Sequence, residues 1–134
     1  MGSLSKEAIE SKSAPSPVGP YNQAILAAGW LYCSGQIALD PSTGEMVGNG
    51  DVEEETHQVL KNLLAVLNAA DADASNIVRT TIFLANLHDF EKVNTIYAEF
   101  FKDKVSPARA CVEVSALPKG GLVEIDCIAW IGQK

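Results

Sequence analysis

The sequence predicts an α+β fold: a two-layer sandwich in which a mixed sheet of about six strands carries two helices on one face. Three observations predict it. Short runs rich in β-branched and aromatic residues alternate with turn residues, and two longer runs have apolar residues at helical spacing. These elements follow the order β-β-α-β-α-β-β within 134 residues, a length that supports one hydrophobic core. Each helical run is apolar on one side only, so both helices lie against the same sheet face.

Residues 1–16 are rich in Ser and contain Lys6, Glu7, Glu10 and Lys12, without the unbroken apolar core of a secretory signal. Residues 1–13 are expected to form a flexible segment ahead of a single domain over 14–134. Pro15, Pro17 and Pro20 stiffen the approach to Tyr21, and residues 21–27 and 30–37 read as a hairpin turning at Ala28-Gly29. Pro41-Ser42-Thr43-Gly44 marks a second turn. From Asp51 the period changes: Val52, Val59, Leu60, Leu63, Val66, Leu67 and Ala70 form one stripe of a long helix, with Asp51 as N-cap and Glu54 three residues on. Residues 77–84 read as a strand. Asn86-Leu87-His88-Asp89 is then placed to cap a second helix from Phe90 to about Phe101, whose Phe90, Val93, Tyr97 and Phe100 share a face. Residues 106–114 and 122–130 are the last two strands, joined by the loop 115–121.

Hydrophobic residues make up 47% and charged residues 20%, as in an ordinary soluble globular protein. Ten basic against 17 acidic residues leave a net charge of −7, which repels a phosphate backbone and an anionic membrane surface, so neither nucleic acid nor membrane is expected as a partner. The longest apolar stretch, 24–33, is broken by Gly29 and too short to cross a bilayer. Cys33, Cys111 and Cys127 are odd in number and have neither C-x-x-C spacing nor His partners, so neither a disulfide framework nor a zinc site is indicated. The expected compartment is reducing: cytoplasm, or an organelle stroma or matrix after removal of a transit peptide. Helices on one face leave the other sheet face bare, and burying it against copies of the chain predicts a homo-oligomer.

Period-two alternation puts Arg109, Cys111 and Glu113 on one face of the first C-terminal strand, and Glu124 and Asp126 on one face of the second. A cation, a thiol and carboxylates are therefore expected to converge. Arg109 needs an anionic partner, either Glu113 or Glu124 in an ion pair or a substrate carboxylate gripped by the guanidinium fork. Glu124 is either a solvent-facing carboxylate or, if burial and a neighbouring charge tune it, a base that holds water. Cys111 has no His near in sequence, since His57 and His88 lie in or beside the helices, and is expected to be a small buried hydrophobe rather than a nucleophile. Cys33 and Cys127, each in an apolar run, are expected to be the same. Tyr21 after Gly19-Pro20 stands either at the mouth of a pocket or in simple packing. Ser34-Gly35-Gln36 offers backbone N–H groups where Gly permits close approach. Gly48-Asn49-Gly50 lacks the Lys and the spacing of a phosphate loop.

Taken in order, Gly19-Pro20-Tyr21, Ser34-Gly35-Gln36, Pro41-x-Thr43-Gly44, Val93-Asn94, Pro107-Ala108-Arg109 with Cys111-Val112-Glu113, Leu117-Pro118 and Glu124-Ile125-Asp126 resemble the motifs of the Rid (reactive intermediate deaminase) or YjgF family, from Ala14 onward. The resemblance implies a chorismate mutase-like fold assembled as a homotrimer, with three sites in clefts between subunits. It further implies hydrolysis of 2-imino acids such as 2-iminopropanoate and 2-iminobutanoate, released as enamines by pyridoxal-phosphate-dependent dehydratases, to 2-keto acids and ammonia. Neither cofactor nor metal is implied. Carried over, Arg109 would clamp the substrate carboxylate and Glu124 would position the attacking water, helped by the backbone around Cys111. Tyr21 would contact the substrate, and Ser34, Gly35 and Asn94 would complete the wall. Some family members are described instead as ribonucleases that inhibit translation, and a chaperone-like or ligand-sensing module without turnover is a third class. Two departures stand out. Asp71 or Asp73 replaces a Gly after the first helix, which is then expected to end without a left-handed Gly cap, and the finish from Trp130 onward is bulkier than usual.

Overall fold

The computed structural model describes residues 5–132. Strands β1 (Glu7–Ile9), β2 (Ala24–Ala27) and β3 (Trp30–Gln36) precede helix α1 (Val52–Ala69); β4 (Ile77–Leu84), α2 (Phe90–Phe100), β5 (Ala108–Glu113) and β6 (Val123–Trp130) follow. The single six-stranded sheet has the order β1-β2-β3-β6-β4-β5. All neighbours are antiparallel except β4 and β5, which run parallel through the α2 crossover, so the sheet is mixed as expected.

One face of this sheet is covered by both helices. Leu31, Cys33, Ile82, Leu84, Val123, Ile125, Cys127 and Ala129 point into that layer, and every residue of the predicted α1 stripe is buried there. Full burial of each large aliphatic contributes about 1.5–3 kcal/mol, which is why these alternations decide the register. Cys33 pairs with Cys127 across β3 and β6, and both are buried as expected. On the opposite face Tyr32 is 49% exposed and Val112 43%. Trp30 and Trp130 pack there at a tilt, with ring centroids 4.8 Å apart and planes at 56°, which is the use made of the bulky finish.

Three expectations change. Residues 1–13 are not uniformly loose: residues 1–4 lie outside the described residues, but Glu7–Ile9 pair with β2 as an edge strand, because three ladder positions and the buried Ile9 offset the ordering cost. The hairpin begins at Ala24 rather than Tyr21, since Tyr21 sits in a tight turn with its N–H donating to the Gly19 carbonyl at 2.9 Å. Helix α1 does end in a left-handed cap, with Asp71 (φ 58°) in the place of Gly. The Ala72 N–H bonds to the Leu67 carbonyl (2.9 Å) and the Asp71 N–H to the Asn68 carbonyl (3.0 Å), the double closure of a Schellman turn. The N-terminal end follows expectation: the Asp51 carboxylate accepts from the Glu53 N–H at 2.9 Å and the Glu54 N–H at 3.4 Å. Asn86 accepts from the His88 N–H at 2.9 Å in the turn before α2.

Candidate active site

Glu124 pairs in register with Phe83 of β4, whereas Arg109 pairs with Thr80 and Cys111 with Ile82. Thr80 and Ile82 face the helices; Phe83 faces away from them. Arg109 and Glu124 therefore project from opposite faces of one sheet, with β4 between their strands. The expected convergence of cation and carboxylate does not occur within one chain, because alternation fixes which residues share a face of a strand but not which face it is.

On the bare face, a cleft of about 250 Å³ is lined by Tyr21, Ser34, Gly35, Pro118 and Glu124, with the segment Pro15–Val18 as its outer wall. Sites for drug-sized ligands occupy about 300–1,000 Å³, so this one suits a metabolite of a few heavy atoms. Its floor comes from a bulge: β3 slips by one residue against β6 between Cys33 and Gln36, leaving Ser34 and Gly35 opposite the single Asp126. A side chain at position 35 would run into Glu124, with its Cβ 2.9 Å from the carboxyl carbon, so Gly35 is what lets Glu124 lie flat over the strand. Ser34 is fixed by its N–H to the Gln23 carbonyl (2.9 Å) and by its hydroxyl to the Asn22 carbonyl (2.7 Å). Tyr21 is 48% exposed, and its Oη accepts the Val18 N–H at 3.4 Å. Burial lifts the Glu124 carboxyl above the ordinary glutamate value, and the neighbouring Asp126 adds to the shift. This is the direction that turns a spectator carboxylate into a usable base.

On the helix face, the Arg109 guanidinium donates through Nη1 to Asn94 Oδ1 at 2.6 Å and lies over the rings of Tyr97 (4.9 Å) and Phe90 (5.5 Å). Phe90, Asn94 and Tyr97 follow helical spacing along α2, so one helix face builds the whole bed. The Tyr97 hydroxyl is locked to Thr80 Oγ1 at 2.6 Å. Neither Glu113 nor Glu124 is what holds the guanidinium in place, and Glu113 accepts the Leu87 N–H at 2.8 Å instead. Leu87, His88, Phe90 and Cys111 line an adjoining shallow depression. Cys111 is half-buried rather than buried, and burial raises its thiol above the ordinary value with only partial relief from Arg109, so it stays a thiol. His88 near Cys111 and the ring bed under Arg109 were not foreseen; the Phe90, Asn94, Tyr97 spacing was the available signal. Asn94 belongs with Arg109 and not with Ser34 and Gly35. Among the described residues no group of three His, Cys, Asp or Glu side chains is placed to share a metal ion.

The Arg109 cluster and the Glu124 cleft thus lie on opposite faces of the sheet. A family described as endoribonuclease L-PSP matches residues 11–131. The chain belongs to this family, the Rid or YjgF proteins. It is 52% identical over 126 residues to a RutC family protein of Synechocystis, covering 94% of this chain and 97% of that one. It is 47% identical over 132 residues to the 2-iminobutanoate/2-iminopropanoate deaminase of Homo sapiens, covering 98% and 95%. Among solved structures, the Rid family protein YyfA of Yersinia pestis superposes with a TM-score of 0.92 at 54% identity, over 95% of this chain and all of that one (100%). The Rid fold is therefore the fold seen here.

Proposed function

We propose that this Rid protein hydrolyses small 2-imino acids, 2-iminopropanoate and 2-iminobutanoate among them, to 2-keto acids and ammonia, in clefts completed between copies of the chain in a homotrimer. The observation that supports the reading is a pair of clusters: an Arg109 guanidinium held by Asn94 over two rings on one sheet face, and a Glu124 carboxyl raised above its ordinary value in a metabolite-sized cleft on the other. Asn94 uses one guanidinium N–H, which leaves the rest of the fork for a substrate carboxylate. The deaminase name carried by the human relative supports the substrate class.

In this reading Arg109 of one copy holds the carboxylate while Glu124 of the next lies beside C2. A protonated imine is already electrophilic, so orientation and a held water supply most of the acceleration. Glu124 takes a proton from that water as its oxygen bonds to C2, giving a carbinolamine. Glu124 passes that proton to the nitrogen, the C–N bond breaks with its electron pair leaving on ammonia, and the C2 carbonyl forms as the hydroxyl gives its proton back to Glu124 and from there to solvent. No residue of the chain is modified. The enamine source would be a pyridoxal-phosphate-dependent dehydratase. The free thiols of Cys33, Cys111 and Cys127 suit a reducing cytoplasm, stroma or matrix. No described helix is long and apolar enough to cross a membrane. The net charge of −7 weighs against the RNA-directed reading in the family's description.

The test couples the protein to a dehydratase that makes 2-aminoacrylate from serine, with semicarbazide trapping the imine. Wild type is expected to divert the imine to pyruvate. Arg109→Ala, which removes two charge-assisted hydrogen bonds worth about 1.5–3 kcal/mol each, is expected to lower kcat/KM by about 10²–10⁴-fold. An unchanged rate in Arg109→Ala would sink the carboxylate clamp.

A further inference from the structure

Gln23 is 3% exposed and shares the cleft wall with Tyr21 and Ser34, yet its side chain is turned toward main chain. Its Nε2 donates to the carbonyls of Pro15 (2.8 Å), Ser11 (3.1 Å) and Ala14 (3.3 Å), and its Oε1 accepts the Ser11 N–H at 2.6 Å. One amide thus ties down the start of the segment between β1 and β2, which has no strand partner between Ile9 and Ala24. That segment continues into Pro15, Pro17 and Val18, the outer wall of the Glu124 cleft, where Val18 is 68% exposed and its N–H reaches the Tyr21 hydroxyl.

We infer that Gln23 is a positioning residue of this site: it clamps the strap 11–18 over the cleft and so sets how tightly a small carboxylate molecule is retained. The inference rests on the imine-hydrolysis reading and goes further, because it assigns the retaining wall to a strap that carries neither Arg109 nor Glu124. The physical ground is satisfaction of buried main chain. The Ala14 and Pro15 carbonyls lie beside the core, Ala14 being 3% exposed, and the Gln23 amide supplies their protons. Without that donor the carbonyls must find water, and the strap can reach water only by leaving the cleft. Ser34, Gly35 and Glu124 sit on β3 and β6 and do not depend on the strap, so the chemistry should survive its release.

The test compares wild type with Gln23→Glu, which keeps the shape and the acceptor but has no protons to give three carbonyls. Ser11→Pro is the second route: it deletes the N–H that Oε1 accepts without altering a buried residue. Three quantities are measured: hydrogen exchange of the strap amides, steady-state kinetics on 2-iminobutanoate, and calorimetric binding of 2-oxobutanoate. For Gln23→Glu we expect strap exchange and KM each to rise about tenfold with kcat within about twofold, a tenfold change corresponding to about 1.4 kcal/mol, the scale of one net hydrogen bond. For Ser11→Pro about threefold is expected. Unchanged exchange in both variants overturns the clamp. Faster exchange with unchanged KM and unchanged 2-oxobutanoate affinity overturns the strap as a wall. Loss confined to kcat would make Gln23 part of the chemistry and also overturn it. If wild type yields no keto acid but Gln23→Glu still weakens 2-oxobutanoate binding, the positioning role stands and the hydrolysis reading falls.

Discussion

Because Arg109 and Glu124 leave opposite faces of one sheet, mixing two inactive variants should restore activity. Arg109→Ala is tolerable to the fold: the side chain is exposed on an edge strand and loses one hydrogen bond to Asn94 and two ring contacts. Glu124→Gln is isosteric and lifts a desolvated charge. Each variant alone should retain about 1% of wild-type activity or less, the usual scale for removing one preorganised group. A site that takes Arg109 from one copy and Glu124 from the next is intact where a Glu124→Gln subunit, which keeps Arg109, meets an Arg109→Ala subunit, which keeps Glu124. After denaturation and refolding at equal ratio this occurs at about one site in four, whatever the size of the closed ring. A site built within one chain regains nothing. The complementary mixture, wild type with the double variant, should retain about a quarter of full activity if sites are shared and about half if they are not. The assay is the semicarbazide competition, with native mass spectrometry to count mixed assemblies. Mixed assemblies with no activity above the parents would refute the shared site.

Three further outcomes follow from single positions. Gly35→Ala should cost activity far more than stability, because the added Cβ meets the movable end of Glu124 rather than backbone; kcat/KM and the thermal midpoint measured together check this. The raised Glu124 value means that the folded state holds that proton more tightly than the unfolded chain, so the burden is full above the folded value and gone below the ordinary 4.5. Thermal unfolding should therefore place Glu124→Gln above wild type at about pH 8, with the gap closing as pH falls toward the unfolded value, and the acid limb of wild-type kcat/KM should lie above 4.5. A gap that widens in acid would refute this. Asp71→Ala should lower the thermal midpoint, by about 1 kcal/mol of stability, since Ala at φ 58° keeps the strain of the left-handed turn without the local polar side chain that lets Asp tolerate it; an unchanged midpoint would refute this.

Much of this fold was legible in the sequence because burial is periodic. The stripe from Val52 to Ala70 and the alternation of Val123, Ile125, Cys127 and Ala129 each admit one packing. Gln23 was not legible, since a buried amide serving the main chain has no sequence pattern, and the left-handed turn at Asp71 was not, since Asp adopts that conformation less readily than Gly. The candidate site residues could be singled out in the sequence, but not the sheet face on which each lies. On β6 the apolar set faces the helices and leaves Glu124 outward, the ordinary arrangement of a half-covered sheet. On β5 the arrangement is inverted: Arg109, Cys111 and Glu113 take the helix side, while Ala108, Ala110 and Val112 face away from it. The reversal is possible because β5 is the sheet edge, where of the helix layer only α2 reaches, through Phe90, Asn94 and Tyr97, so a polar set there remains open to a ligand. The same reversal leaves Val112 and its neighbours on the bare face, 43% exposed at Val112, where apolar surface calls for a covering copy. One register choice on one edge strand thus both leaves Arg109 exposed beside α2 and puts apolar surface on the bare face, the two things the proposed shared site requires.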